Sequence, residues 1–108
     1  MWHYKAVVKR IIDADTIDLS ICLGFHLTAD IRVRVARIDA WETRGKERPE
    51  GLLAKSRVEE LCPVGATVEV TTGKTGKYGR WIGEIQLTDG RNLSDLLVEE
   101  GHAEFVQY

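Results

Sequence analysis

Four short polar stretches hold the residues that could do chemistry. Asp13, Asp15 and Thr16 lie within four positions of one another. Arg34 follows in an alternating apolar run. Asp39, Ala40, Glu42 and Thr43 come next, and Lys77, Tyr78 and Arg80 sit in a Gly-Lys-Tyr-Gly-Arg segment at 76–80. Together these types suit chemistry on phosphate. Carboxylates hold a hard cation through oxygen, and a further carboxylate can take a proton from water. Arginines grip phosphate oxygens in bidentate fashion and keep their charge. Each stretch also has a plainer use. Aspartates at a strand boundary commonly make turns, and strand arginines reach into solvent. Glu42 can cap or solvate a loop, and Lys-Tyr-Gly-Arg can be a turn. Spacing alone does not show that Asp15 and Asp39 converge.

The elements that must position these residues read as strands first. Ile17, Leu19, Ile21 and Leu23 alternate with Asp18, Ser20 and Cys22, the period of a half-buried strand over 16–24. Ile31, Val33 and Val35 alternate with Arg32 and Arg34. Strands are also predicted at 4–12, 66–72 and 80–87, with Asp89-Gly90 a turn after the last. A helix is predicted from Pro49, which suits a first turn, through Leu53/Ala54, Val58 and Leu61 to a stop at Pro63. Asn92 can cap a second helix carrying Leu93, Leu96 and Leu97, with Gly101 just past its end. Three strands, a helix, two strands and a helix describe a mainly β, α+β domain. Five short strands around one core are best closed into a small barrel, which removes exposed edges.

Composition sets the outer bounds. The chain has 108 residues, enough for one domain spanning 1–108. With 44% hydrophobic and 30% charged residues it is a globular composition rather than a disordered one. Its apolar runs are only a few residues long, which excludes a transmembrane helix. No apolar segment follows the N-terminus in the manner of a signal peptide, so an intracellular location is expected unless a leader is missing. Cys22 and Cys62 show no metal-type spacing; the alternatives are a disulfide and two buried thiols, and buried thiols without a role in chemistry are expected. The net charge is −2 with a pI near 5.9, unlike the basic balance of a dedicated nucleic-acid binder. The distribution is uneven. Residues 32–57 hold eight Lys/Arg against four Asp/Glu, whereas residues 92–108 carry four acids and no Lys or Arg. Charge alone favours an ordinary solvated surface.

The ordered combination is more specific than any fragment. Asp-x-Asp-Thr, then an Arg followed by Asp-x-x-Glu-Thr, then Lys-Tyr-Gly-Arg, then Asn-Leu-x-x-x-Leu-Val-x-x-Gly-x-Ala from Asn92 to Ala103, resembles the thermonuclease, or staphylococcal nuclease-like, domain family. The resemblance runs from about Tyr4 to Val106. It implies a five-stranded OB-type barrel with helices and Ca²⁺-dependent cleavage of DNA or RNA, typically leaving 3′-phosphates. Residue by residue, it implies that Asp15 and Asp39 are metal carboxylates and that Ala40 gives the metal its backbone carbonyl. Glu42 becomes the general base, Arg34 and Arg80 the phosphate clamp, and Lys77 and Tyr78 contacts to a neighbouring phosphate. The chain departs from the family at Trp41, where proline is usual. The tyrosine pair flanking the family's cleft is not cleanly present: by count Gln107 falls on one position, with Tyr108 beside it. Well-known members also continue into a further C-terminal helix.

The first expectation is therefore a small Ca²⁺-dependent, sequence-nonspecific nuclease, monomeric and without a membrane. A rival from another class is a catalytically silent domain of the same fold that binds nucleic acid or a protein. A generic barrel with a decorative polar loop is the third. Silent relatives have typically lost the carboxylates or arginines, and Asp15, Arg34, Asp39, Glu42 and Arg80 are all present here.

Overall fold

The computed structural model describes residues 2–40, 48–75 and 81–106. Strand β1 (Trp2–Asp13), β2 (Thr16–Gly24) and β3 (Leu27–Val35) form an antiparallel meander. After the short β4 (Ile38–Ala40) comes helix α1 (Arg48–Leu61), then β5 (Thr67–Thr75), β6 (Trp81–Gln86), helix α2 (Leu93–Glu99) and β7 (Ala103–Phe105). The barrel closes in the order β1-β2-β3-β6-β5. Its one parallel seam is short, with Val33, Arg34 and Val35 facing Trp81, Ile82 and Gly83. This is the five-stranded α+β barrel that the alternation predicts.

The period-2 pattern explains the interior. Ile17, Leu19, Val33, Val35, Val70 and Ile85 are buried to 2% exposure or less, while the residues that alternate with them face outward. Fully burying side chains of this size stabilises the fold by about 1.5–3 kcal/mol each. Gly83 is paired with Val35 of β3 on one side and Thr72 of β5 on the other. A Cβ there would meet Val70 Cγ2 at 2.8 Å and Val33 Cγ1 at 3.3 Å, so only glycine leaves room at this level of the seam. Outside the barrel, α1 packs on β1 and buries Ala54 and Val58. Helix α2 packs on β6 and β7 with Leu93 and Leu97 inward. Asn92 caps it, accepting the Asp95 N–H at 3.0 Å, and Gly101 follows the C-cap with φ 80°. Both match the helix signals in the sequence.

Four expectations change. Leu23 is 48% exposed rather than continuing the inner row. The β1 pairing ends at Ile21, so β2 and β3 run on past the barrel as a two-stranded hairpin. Leu53 is also exposed, because the buried stripe of α1 runs through Ala54 and Val58. Cys22 lies on the projecting hairpin and is exposed; Cys62 is buried, and burial pushes its thiol up to about 11. Finally, β4 and β7 pair in a separate two-stranded sheet that the sequence reading did not include. At the barrel mouth an apolar recess of about 290 Å³ opens among Tyr4, Ile21, Ile31, Val33, Val70 and Trp81. None of its described lining residues is Asp, Glu, Lys or Arg, so charge chemistry belongs elsewhere. Among the described residues, no helix is long and apolar enough to cross a membrane.

Candidate active site

The site forms where β2 begins and β3 ends. The β2–β3 register sets Thr16 opposite Arg34, which brings the β1–β2 turn and its Asp15 alongside the outward face of β3. The Val35 N–H donates to the Asp15 carbonyl at 2.8 Å and fixes that turn to the strand end. Asp15 is buried at 7% exposure, and its carboxylate is satisfied from three sides. The Ala40 N–H donates to Oδ2 at 3.0 Å, the Thr16 hydroxyl to Oδ1 at 3.2 Å, and the Arg34 guanidinium pairs with Oδ2. A carboxylate this enclosed is sustained only by such partners.

Asp39 reaches the same guanidinium at its other terminal nitrogen. After β3 the chain turns through Ala36 and Arg37 and returns as β4, where Ile38 and Ala40 are buried and Asp39 between them faces out. Its Oδ1 lies 3.3 Å from the second terminal nitrogen of Arg34. The two acids differ in setting: the Asp39 side chain is 66% exposed and the Asp15 side chain 9%. Strand β7 backs this segment, with Ile38 opposite Phe105, Asp39 opposite Glu104 and Ala40 opposite Ala103.

The structure thus brings together Asp15, Arg34, Asp39 and Ala40. Glu42, Lys77, Tyr78 and Arg80, with Trp41, Gln107 and Tyr108, lie outside the described residues. The two carboxylates converge on one guanidinium, and each of its terminal nitrogens is engaged with one of them. Among the described residues, no group of three or more Asp, Glu, His or Cys gathers to hold a metal. A cation at Asp15 and Asp39 would therefore draw its remaining oxygens from backbone, water or residues outside that set. The contact that ties Ala40 to the site here is its N–H. Two parts of the setting were missed in the sequence. One is the β4–β7 pair, whose sole trace is the Ile38-x-Ala40 alternation. The other is Glu104, a second acid set opposite Asp39.

Comparison with known proteins gives a consistent picture. A family profile described as staphylococcal nuclease homologue matches residues 32–108. An uncharacterized endonuclease of Escherichia coli O157:H7 is 31% identical over 96 residues, covering 89% of this chain and 57% of that protein. A micrococcal nuclease of Shigella flexneri is 32% identical over 113 residues, covering 97% of this chain and 60% of that protein. Endonuclease YhcR of Bacillus subtilis is 29% identical over 112 residues, covering 94% of this chain but 9% of that protein. The chain therefore spans less than two thirds of the length of each of these relatives.

Proposed function

The chain belongs to the staphylococcal nuclease family, and on that premise we propose that it is a Ca²⁺-dependent, sequence-nonspecific nuclease hydrolysing phosphodiester bonds of DNA or RNA. The observation that carries this reading is the convergence of Asp15 and Asp39 on the single guanidinium of Arg34. That arrangement gathers carboxylate oxygens of the kind a hard cation takes and a guanidinium of the kind that binds phosphate, engaged with one another until cation and substrate replace those pairs. Asp15, Asp39 and the Ala40 backbone would hold Ca²⁺, which when bound supplies positive charge beside the scissile phosphate. Arg34 and Arg80 clamp the phosphate oxygens, where charge builds as water attacks. Glu42 orients that water and takes its proton, and the products carry 3′-phosphates. Lys77 and Tyr78 hold the neighbouring phosphate. Contacts confined to phosphate read no sequence.

A digest of plasmid and single-stranded DNA and of RNA, with Ca²⁺, Mg²⁺ or EDTA side by side, tests this. Cleavage with Ca²⁺ and none with EDTA is expected. Glu42→Gln should lower single-turnover cleavage by roughly 10²–10⁴-fold, the usual scale for a general base, with little change in substrate affinity. Full activity in excess EDTA would sink the metal assignment. Parent-rate cleavage by Glu42→Gln would remove the base. Binding without any cleavage by the parent protein would replace the enzyme with the silent binding domain.

A further inference from the structure

Arg37 lies two residues before Asp39, at the corner where β3 turns into β4. Its backbone has φ 67°, the left-handed region in which an L side chain crowds the following carbonyl. A residue holds that conformation only where its surroundings over-determine it, and here the guanidinium does so. Nε donates to Glu84 Oε1 at 2.5 Å and the terminal nitrogen to Glu84 Oε2 at 3.0 Å. The same nitrogen donates to Asp95 Oδ1 at 3.0 Å and to Asn92 Oδ1 at 3.3 Å, the oxygen that caps α2. The guanidinium carbon lies 5.5 Å from the Phe105 ring centroid, within reach of a cation–π contact. One side chain therefore touches β6, the start of α2 and β7.

The backbone of the corner repeats these links. The Val106 N–H donates to the Arg37 carbonyl at 2.8 Å, the Ala36 N–H donates to the Gly83 carbonyl at 2.9 Å, and the Ser94 hydroxyl donates to the Ala36 carbonyl at 2.6 Å. On the far side, Ile38 is fully buried and the Ala40 N–H reaches Asp15. Asp39 stands between these anchors with most of its own side chain in solvent, so its place is set by the backbone that carries it.

We propose that Arg37 is the positioning residue of the site: by locking the β3–β4 corner to β6, α2 and β7, it sets the Asp39 carboxylate against Arg34. Its catalytic consequence rests on the nuclease reading; the positioning does not. Burial raises the proton affinity of Glu84, but the hydrogen bonds from Arg37 and Asn92 and the charge of Arg37 outweigh it, so this carboxyl lies below its ordinary range. The lock is therefore charged at neutral pH. Isolated exposed ion pairs commonly contribute little; here one fork is shared among three elements, and its loss leaves the strained corner without its clamp.

Two variants test it. Arg37→Gly removes the fork and relieves the backbone, and Glu84→Gln removes the main acceptor charge while leaving Arg37 in place. Amide exchange of Ala40 and Val106 is compared with that of core amides such as Leu19, and kcat and KM are measured well below the unfolding temperature. Both variants should speed exchange at Ala40 and Val106 on the order of tenfold or more while the core stays protected. They should lower kcat by roughly 10–100-fold with KM nearly unchanged, the scale for misplacing a reacting group through its support. Arg37→Lys keeps the charge but lacks the planar fork, and should resemble Arg37→Gly. Unchanged exchange at Ala40, or loss of stability alone with parent kcat, overturns the proposal. If the parent protein cleaves nothing, the nuclease reading falls, and exchange at Ala40 and Val106 decides the positioning role by itself. If Arg37→Gly does not fold, Glu84→Gln decides alone.

Discussion

Arg34 serves two acids in different surroundings, so substitutions at the three residues should separate stability from chemistry. Its side chain and that of Asp15 are 15% and 9% exposed. Removing the guanidinium strands a nearly buried carboxylate, and breaking such a pair costs about 3 kcal/mol or more. Asp39 is 66% exposed on its side chain, and losing its pair to Arg34 costs at most about 1 kcal/mol. Arg34→Ala is thus expected to lose several times more stability in urea than Asp39→Ala, although both should abolish cleavage. Equal losses in the two variants would show that Asp15 draws its support from Thr16 and Ala40 alone. The residue types at this site were legible in the sequence because each has few substitutes for its task. Their convergence was not. It depends on the Thr16–Arg34 register and on the corner at Arg37, and neither leaves a mark in spacing. Leu23 failed for a related reason: alternation gives a residue's side of the strand but not where the barrel ends. Cys22 stands on the outward side with Asp18 and Ser20, and the general tendency of free cysteine to be buried misled there.

At the scale of elements, the β2–β3 hairpin departs furthest from what local preferences favour. Gly24 pairs with Leu27 across a two-residue turn, Phe25-His26, and these two have φ 53° and 63°. A turn with both central residues left-handed favours Asn-Gly, and each bulky residue there costs roughly 1–2 kcal/mol. Phe25 is 95% exposed and gives back almost no burial. Replacing Phe25-His26 by Asn-Gly should therefore stabilise the protein by about 1 kcal/mol, visible as a rise of roughly 4–8 °C in Tm. Cleavage should be unchanged, since the hairpin projects from the barrel while Asp15, Arg34 and Asp39 gather where β2 starts and β3 ends. A fall in Tm would mean that Phe25 makes contacts beyond this chain's own fold. Long alternating strands were legible because five or more positions agreed on one period. The strands β4 and β7, three residues each, give too few positions for a period to emerge, and they form only because each covers the other.

Across the whole molecule, folding changes the meaning of the charge map. The excess of Lys and Arg in residues 32–57 suggests a basic surface, yet among the described residues part of it is neutralised in three dimensions. Arg32 pairs with Asp18, Arg37 with Glu84 and Asp95, and Arg57 with Glu60 and Glu100. Two of these partners, Asp95 and Glu100, come from the acidic C-terminal stretch, so the chain's basic middle and acidic end cancel by contact. On the nuclease reading, binding should rest on Arg34, Lys77 and Arg80. Each phosphate neutralised on a single strand contributes a slope of about −0.7 in log affinity against log salt. Three such contacts give a slope of about −2. The measurement is fluorescence anisotropy of Glu42→Gln with a labelled single-stranded oligonucleotide in Ca²⁺, titrated from about 50 to 300 mM salt within the range where counterion release governs binding. Homopolymers of different base should bind alike, because these contacts carry no sequence information. A slope steeper than about −4 would mean that the ion pairs of Arg32, Arg37 or Arg57 open to meet phosphate. The neutralised surface would then be a latent binding face.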